Sequence, residues 1–276
     1  MQHTINGVRM HWNEAGSGDP LIFIHGFPFN NTLWSKQLEA PPEGWRFIAP
    51  DLRGFGQSEA GKTGPYPMDL LADDINALLD HLGLDQAVIC GQSMGGYVAL
   101  SLARRYPDRV RALVLMATRA SADSDEGARN RRALAARARS EGVKPVIDSM
   151  LPKLLSAHSR MKQPELVDFV RAMMEATSPE TMARALEGMA ERHDYTGELE
   201  QIDVSTMAVR GDQDEIVPAV DMELIARTVR GARNEVISLA GHLPNLEASD
   251  VTNNLITRFL ALLPPALKLG DFSFSF

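Results

Sequence analysis

Near-continuous apolar runs recur along the chain: LIFIHG (21–26), FIAPDLRG (47–54), AVICGQS (87–93), ALVLMAT (112–118), TMAVRGD (206–212) and NEVISLAG (234–241). They show little strict alternation with polar residues, so each predicts a strand covered on both faces, as in a parallel sheet. The start of the chain differs. HTI and VRMHW flank Asn6-Gly7, a pair suited to a two-residue turn whose central residues both take positive φ, and residues 2–14 are expected to form a hairpin. Between the runs the apolar spacing becomes helical. In 68–83, Leu71, Ile75, Leu78, Leu79 and Leu82 make one stripe, and Gly83 is a natural stop. Residues 94–107, closed by Pro107, and residues 220–231 and 248–263 read the same way. Strand and helix in alternation predict a parallel α/β sheet with right-handed crossovers.

The alternation stops between 119 and 196. That segment reads as helical throughout, with Ser178-Pro179 as a helix start. It predicts a helical cap inserted into a core made of residues 1–118 and 197–265. Its methionines, Met150, Met161, Met173, Met174, Met182 and Met189, are flexible enough to line an adaptable pocket or to pack the insertion on the sheet. Pro264-Pro265 ends the last helix, and the tail 266–276 has no legible role.

Composition narrows the classes. Of 276 residues, 44% are hydrophobic and 23% charged, enough apolar material for a large core without staples. The net charge of −8 argues against nucleic acid and anionic membranes as partners. The single cysteine, Cys90, lies in AVIC and reads as a small buried hydrophobe. No run approaches the roughly 18 apolar residues of a membrane span, and the N-terminus does not resemble a secretory signal. A cytoplasmic protein is expected.

The chemistry concentrates in a few segments. Gly91-Gln92-Ser93-Met94-Gly95 fits G-x-S-x-G between a buried strand and a helix. A serine on such an elbow sits in a strained turn with its hydroxyl exposed, while the flanking glycines avoid collision with neighbouring backbone. The N–H of Met94, at the helix start, can donate to a developing oxyanion. A serine hydroxyl needs a base. His242, in AGHLP after the last strand, is the best choice, and His25 reads as a hydrogen-bonded structural residue. The base needs a carboxylate to orient it, and GDQD offers Asp212 and Asp214. No histidine and acid cluster has metal-ligand spacing, so no metal or organic cofactor is implied.

HGFP (25–28), DLRGFGQS (51–58), GQSMGG (91–96), GDQDEIVP (211–218) and AGHLPNLE (240–247), in that order, resemble the α/β-hydrolase superfamily, especially esterase and 3-oxoadipate enol-lactonase-like members. The resemblance implies a mostly parallel eight-stranded sheet flanked by helices, with a cap after the sixth strand. It places the acid at Asp214, four residues before Pro218, and the second oxyanion donor at Phe27. Ser93 stands where dehalogenases and epoxide hydrolases carry aspartate, and Gln92 where carbon–carbon bond hydrolases often carry asparagine. A true enol-lactonase needs cations for its carboxylate substrate. Arg119, Arg129, Arg131 and Arg132 stand near the cap entrance, but arginines on a helix usually form a solvated face, which favours general ester or lactone hydrolysis. The implied activity is hydrolysis of a small carboxylic ester or lactone, with Trp34, Phe27, Met173 and Met174 lining the acyl pocket. Perhydrolysis, carbon–carbon cleavage and slow-turnover ligand reception are the alternatives on the same residues.

Overall fold

The structure, a computed structural model, describes residues 1–62 and 64–264. Eight strands form one sheet: β1 (Gln2–Ile5), β2 (Val8–Gly16), β3 (Asp19–Ile24), β4 (Trp45–Pro50), β5 (Ala87–Gln92), β6 (Val110–Met116), β7 (Ser205–Gly211) and β8 (Arg233–Ile237), in the order β1-β2-β4-β3-β5-β6-β7-β8. β2 runs antiparallel to β1 and β4, and the remaining pairs are parallel. The predicted hairpin is β1–β2. Its turn has φ of 44° at Asn6 and 78° at Gly7, which is why asparagine and glycine stand there.

The helices are α1 (Ser35–Leu38), α2 (Met68–His81), α3 (Met94–Arg105), α4 (Asp125–Glu141), α5 (Lys144–Leu154), α6 (Ala157–Lys162), α7 (Pro164–Glu175), α8 (Pro179–Ala190), α9 (Ala219–Thr228), α10 (Pro244–Glu247) and α11 (Ser249–Leu260). α2 ends as its sequence predicts. Gly83 takes φ 65°, and the chain turns back so that Leu84 N–H donates to the Leu79 carbonyl at 2.9 Å. The Ser178 side chain accepts the Thr181 N–H at the start of α8.

Successive residues of the central strands face opposite ways, so an unbroken apolar run supplies two cores at once. Ile22 and Ile24 of β3, Ile89 of β5 and Leu113 and Leu115 of β6 pack with Leu71 and Ile75 of α2, Val98 of α3 and Ile225 of α9. Leu21, Phe23, Val88, Cys90, Val114 and Met116 face the other way, onto Leu33, Trp34 and Phe259. β8 departs from the expectation of full burial. It is an edge strand, Val236 is exposed, and the chain leaves it at Ile237 for a turn in which Leu239 has φ 63°. The apolar content of 234–241 serves this turn as much as the sheet.

α4 to α8 fill the interval between β6 and β7, where the helical insertion was expected. They do not enclose a core of their own. Ala135, Met182, Leu186 and Met189 join the cluster that holds α2 and α3, while Leu154, Val170, Met173 and Met174 join the one that holds Phe23. The tail 266–276 lies outside the described residues.

Candidate active site

β3, β5, β7 and β8 are parallel neighbours through β6, so the segments leaving their carboxyl ends gather along one edge of the sheet. That edge is where open α/β sheets place ligands. The segments are the four that carry the candidate residues.

Ser93 leaves β5 with φ 52° and ψ −114°. For a residue with a Cβ, such a conformation costs on the order of 1–3 kcal/mol and persists only where its surroundings enforce it. They do so here. Ser93 N–H donates to the Met116 carbonyl at 2.9 Å, and its own carbonyl accepts from Gly96 N–H at 2.9 Å and from the Thr118 hydroxyl at 2.8 Å. A Cβ on Gly91 would strike the Gly95 backbone, and one on Gly95 would strike the Ile24 carbonyl. The glycines let strand, helix and the neighbouring β3 approach closely enough to hold the serine in this turn.

Met94 is the first residue of α3, where helix N–H groups have no intrahelical acceptor. Phe27 follows β3 in a loop pinned on both sides. Phe29 N–H donates to the Gly26 carbonyl at 3.0 Å, and the Thr177 hydroxyl donates to the Pro28 carbonyl at 2.8 Å. Neither the Met94 nor the Phe27 N–H enters the loop and cap hydrogen bonds found among the described residues.

His242 and Asp214 meet. Nδ1 of His242 lies 2.9 Å from Oδ2 of Asp214, with both side chains almost fully buried. The other carboxylate oxygen accepts the N–H groups of Ile216 at 2.8 Å and Val217 at 3.0 Å. Burial opposes ionisation of Asp214, but the charge and hydrogen bond of His242 and the two N–H groups outweigh it and hold the carboxyl below its ordinary range. An ionised Asp214 accepts the Nδ1 proton, which leaves Nε2 as the ring's free nitrogen. Asp212 is spent elsewhere, accepting the Leu239 N–H at 2.7 Å within the turn after β8. His25 is fully buried, with Nδ1 2.9 Å from the Gly26 carbonyl and Nε2 accepting the Leu52 N–H at 3.0 Å. Both its nitrogens are committed, as a structural histidine requires.

Gln92 was legible only as a departure from one group of relatives. The structure gives it contacts: its Nε2 donates to the His242 carbonyl at 3.0 Å, and its Oε1 lies against Gly26. It thus touches the serine, histidine and Phe27 segments at once. Glu247, the last residue of AGHLPNLE, carried no expectation, yet it is buried beneath the histidine loop. Its place at the end of AGHLPNLE, five residues after His242, is the sequence signal it carries.

The side chains expected around the acyl group lie in packed surroundings. Trp34 is fully buried, its ring 4.6 Å from that of Phe23, which in turn meets Phe47 edge-on. Trp34 thus packs against the sheet with Phe23. Met174 is equally inaccessible and Met173 is 4% exposed; both pack with the Phe23 cluster, whereas Met161 projects into solvent. The proposed cations are largely engaged. Arg119 lies 3.5 Å from Asp221, Arg131 2.5 Å from Asp123 and Arg132 3.8 Å from Glu191. Among the described residues no cluster of histidine, cysteine and acid side chains could hold a metal ion, and no helix is long and apolar enough to cross a membrane.

A family model for the alpha/beta hydrolase fold matches residues 19–249. The chain belongs to the α/β-hydrolase family. Its similarity to individual members spans several activities. A malate-bound thermophilic esterase from Thermogutta terrifontis superposes with a TM-score of 0.91 at 38% identity, covering 95% of this chain and 97% of the other. The 3-oxoadipate enol-lactonase 2 of Acinetobacter baylyi is 28% identical over 255 residues, 92% of this chain and 93% of its own. A non-heme chloroperoxidase, CPO-A1 of Kitasatospora aureofaciens, is 30% identical over 236 residues, 78% and 81% of the two chains. In this α/β-hydrolase the eight-stranded, mostly parallel sheet flanked by helices is the architecture that the motifs implied.

Proposed function

We propose that this α/β-hydrolase cleaves a small carboxylic ester or lactone through an acyl-enzyme on Ser93. The Asp214–His242 contact at 2.9 Å, on the same sheet edge as the strained Ser93 turn, carries the reading. In the first half-reaction the Ser93 hydroxyl attacks the carbonyl carbon and His242 Nε2 takes its proton. The carbonyl oxygen becomes an oxyanion facing the N–H groups of Met94 and Phe27. The carbon–oxygen bond to the leaving alcohol then breaks, and the imidazolium returns the proton to that alcohol. Water repeats the sequence on the acyl group and releases the acid. Asp214 holds the tautomer and stabilises the imidazolium. Each oxyanion donor is worth about 3–4 kcal/mol in comparable sites.

An acyl-chain series of chromogenic esters, run beside a panel of lactones, tests the substrate class. The expected result is turnover of at least one series, abolished in Ser93→Ala. The similarity to a chloroperoxidase favours a second use of the same residues, in which hydrogen peroxide replaces water and the product is a peracid. Repeating the ester assay with peroxide decides between them: peracid formation on Ser93 supports the second use, and acid alone supports the first.

A further inference from the structure

Glu247 closes α10, and its side chain turns back beneath the loop that carries His242. Oε1 accepts the N–H of Gly241 at 2.8 Å and that of Leu243 at 3.2 Å, the residues on either side of His242. Oε2 accepts the N–H of Ser156 at 2.8 Å, in the link between α5 and α6 of the insertion. Glu247 is 8% exposed and has no ion-pair partner among the described residues. Its acceptors are filled by backbone alone.

The same link touches the histidine loop at further points. His242 N–H donates to the Leu154 carbonyl at 3.0 Å, and the Ser156 hydroxyl donates to the Leu239 carbonyl at 2.7 Å. Gln163 Nε2 donates to the Glu247 carbonyl at 3.1 Å. A Cβ on Gly241 would collide with the Ser156 nitrogen and the Leu155 carbonyl carbon. The insertion and the base-bearing loop are therefore in backbone contact, and Glu247 sits at the junction.

We propose that Glu247 is a positioning residue. Its carboxylate fixes the peptide groups flanking His242 and joins them to Leu154–Ser156, so that the setting of the imidazole depends on the insertion. The proposal rests on the reading of His242 as the base of Ser93. The chemistry explains why an acid is needed. Three N–H groups converge on two oxygens, and only a carboxylate offers acceptors on both. Glutamine of the same shape leaves an NH₂ facing at least one N–H, whichever way its amide is turned, and a buried donor without an acceptor is costly.

The test is Glu247→Gln in the full chain, with Ser93→Ala and His242→Gln beside it. Steady-state ester hydrolysis is measured, together with the downfield proton resonance of the His242 Nδ1–H and the melting temperature. The expected result is a folded variant with kcat reduced about tenfold or more and KM within about twofold, the split of a lost transition-state contribution. The Nδ1–H resonance should broaden or vanish. A residue that only stabilises the fold would lower the melting temperature and leave kcat and the resonance as in wild type; that outcome overturns the proposal. If Glu247→Gln does not accumulate as folded protein, Gln163→Leu takes its place, removing only the bond to the Glu247 carbonyl. A kcat loss of about threefold at unchanged KM then supports the proposal, and unchanged kcat overturns it. The two failures are distinguishable. Wild-type turnover in Ser93→Ala or His242→Gln removes the underlying functional reading, whereas inactive controls beside an unaffected Glu247→Gln remove only the positioning role.

Discussion

The two aspartates of the turn after β7 show how narrow the margin between chemistry and scaffolding is. They are two positions apart, and composition alone left both open as partners of the base. Asp214 reaches Nδ1 of His242, while Asp212 caps the Leu239 N–H. Asp214→Asn should therefore fold normally and lose turnover by about 10⁴-fold, as removal of the orienting acid does in a comparable triad. Asp212→Asn should stay within about tenfold of wild type in turnover, about 1.4 kcal/mol in barrier, while melting earlier. Turnover and melting curves of both variants check the assignment, and the reverse pattern contradicts it. His25 supplies a prediction in pH. Burial, the largest influence, lowers its pKa; the Gly26 carbonyl and the Asp51 charge offset part of that. An unfolded histidine titrates near about 6.5, so below that pH the unfolded chain binds a proton that the folded chain resists. Stability contributed by neutral His25 is present above that value and is lost as the pH falls toward the folded pKa. His25→Gln should be less stable than wild type at about pH 7.5, yet lose less on acidification to about pH 5. Parallel stability–pH curves for the two proteins would refute this. Both histidines could be placed on the chain from their motifs, but their hydrogen-bond partners, Leu52 and Asp214, come from other segments.

At the scale of elements, the apolar runs of β3, β5, β6 and β7 were readable because a strand covered on both faces has no polar side to interrupt it. The elbow and the β1–β2 turn were readable because glycine and asparagine stand where φ is positive or backbones touch. Helix faces were harder. The insertion's methionines sit at positions that suit either a pocket or a core, and periodicity does not say what lies opposite a buried stripe. The structure puts Met174 against the Phe23 side of the sheet. Met174→Ala should cost roughly 2–5 kcal/mol of stability, as truncation of a buried side chain does, with the ester chain-length profile unchanged. The exposed Met161 should tolerate the same change within about 0.5 kcal/mol. Chemical denaturation of the two variants, with the chain-length profile of Met174→Ala, tests this. A shifted profile at wild-type stability would return Met174 to the pocket. Trp34 escaped the sequence for the same reason, since an aromatic just past the β3 loop is equally placed to meet substrate or to stack on Phe23.

For the molecule as a whole, the insertion is bonded to the rest of the chain on several sides. Thr177 meets Pro28, Thr181 donates to the Gly54 carbonyl at 2.9 Å, Tyr66 N–H donates to the Arg184 carbonyl at 2.9 Å, and Leu154–Ser156 meet the histidine loop. Since its apolar residues complete the two clusters of the sheet, it has no separate core to unfold from. Melting followed by tryptophan fluorescence and by far-ultraviolet circular dichroism should give one coincident transition; an earlier, separate loss of helix would show the insertion to be an independent unit. Such an arrangement was beyond the sequence, which marks where the helical segment begins and ends but not the backbone bonds that close around it. Every step assigned to Asp214, His242, Met94 and Phe27 presupposes an acyl group on the Ser93 hydroxyl. The most direct measurement is to mix the protein with a turned-over chromogenic ester, quench in acid within the first turnovers, and map the acylated peptide by mass spectrometry. The account predicts one acyl group, on Ser93, and neither adduct nor turnover in Ser93→Ala; an acyl group on another residue, or wild-type turnover in Ser93→Ala, would contradict it.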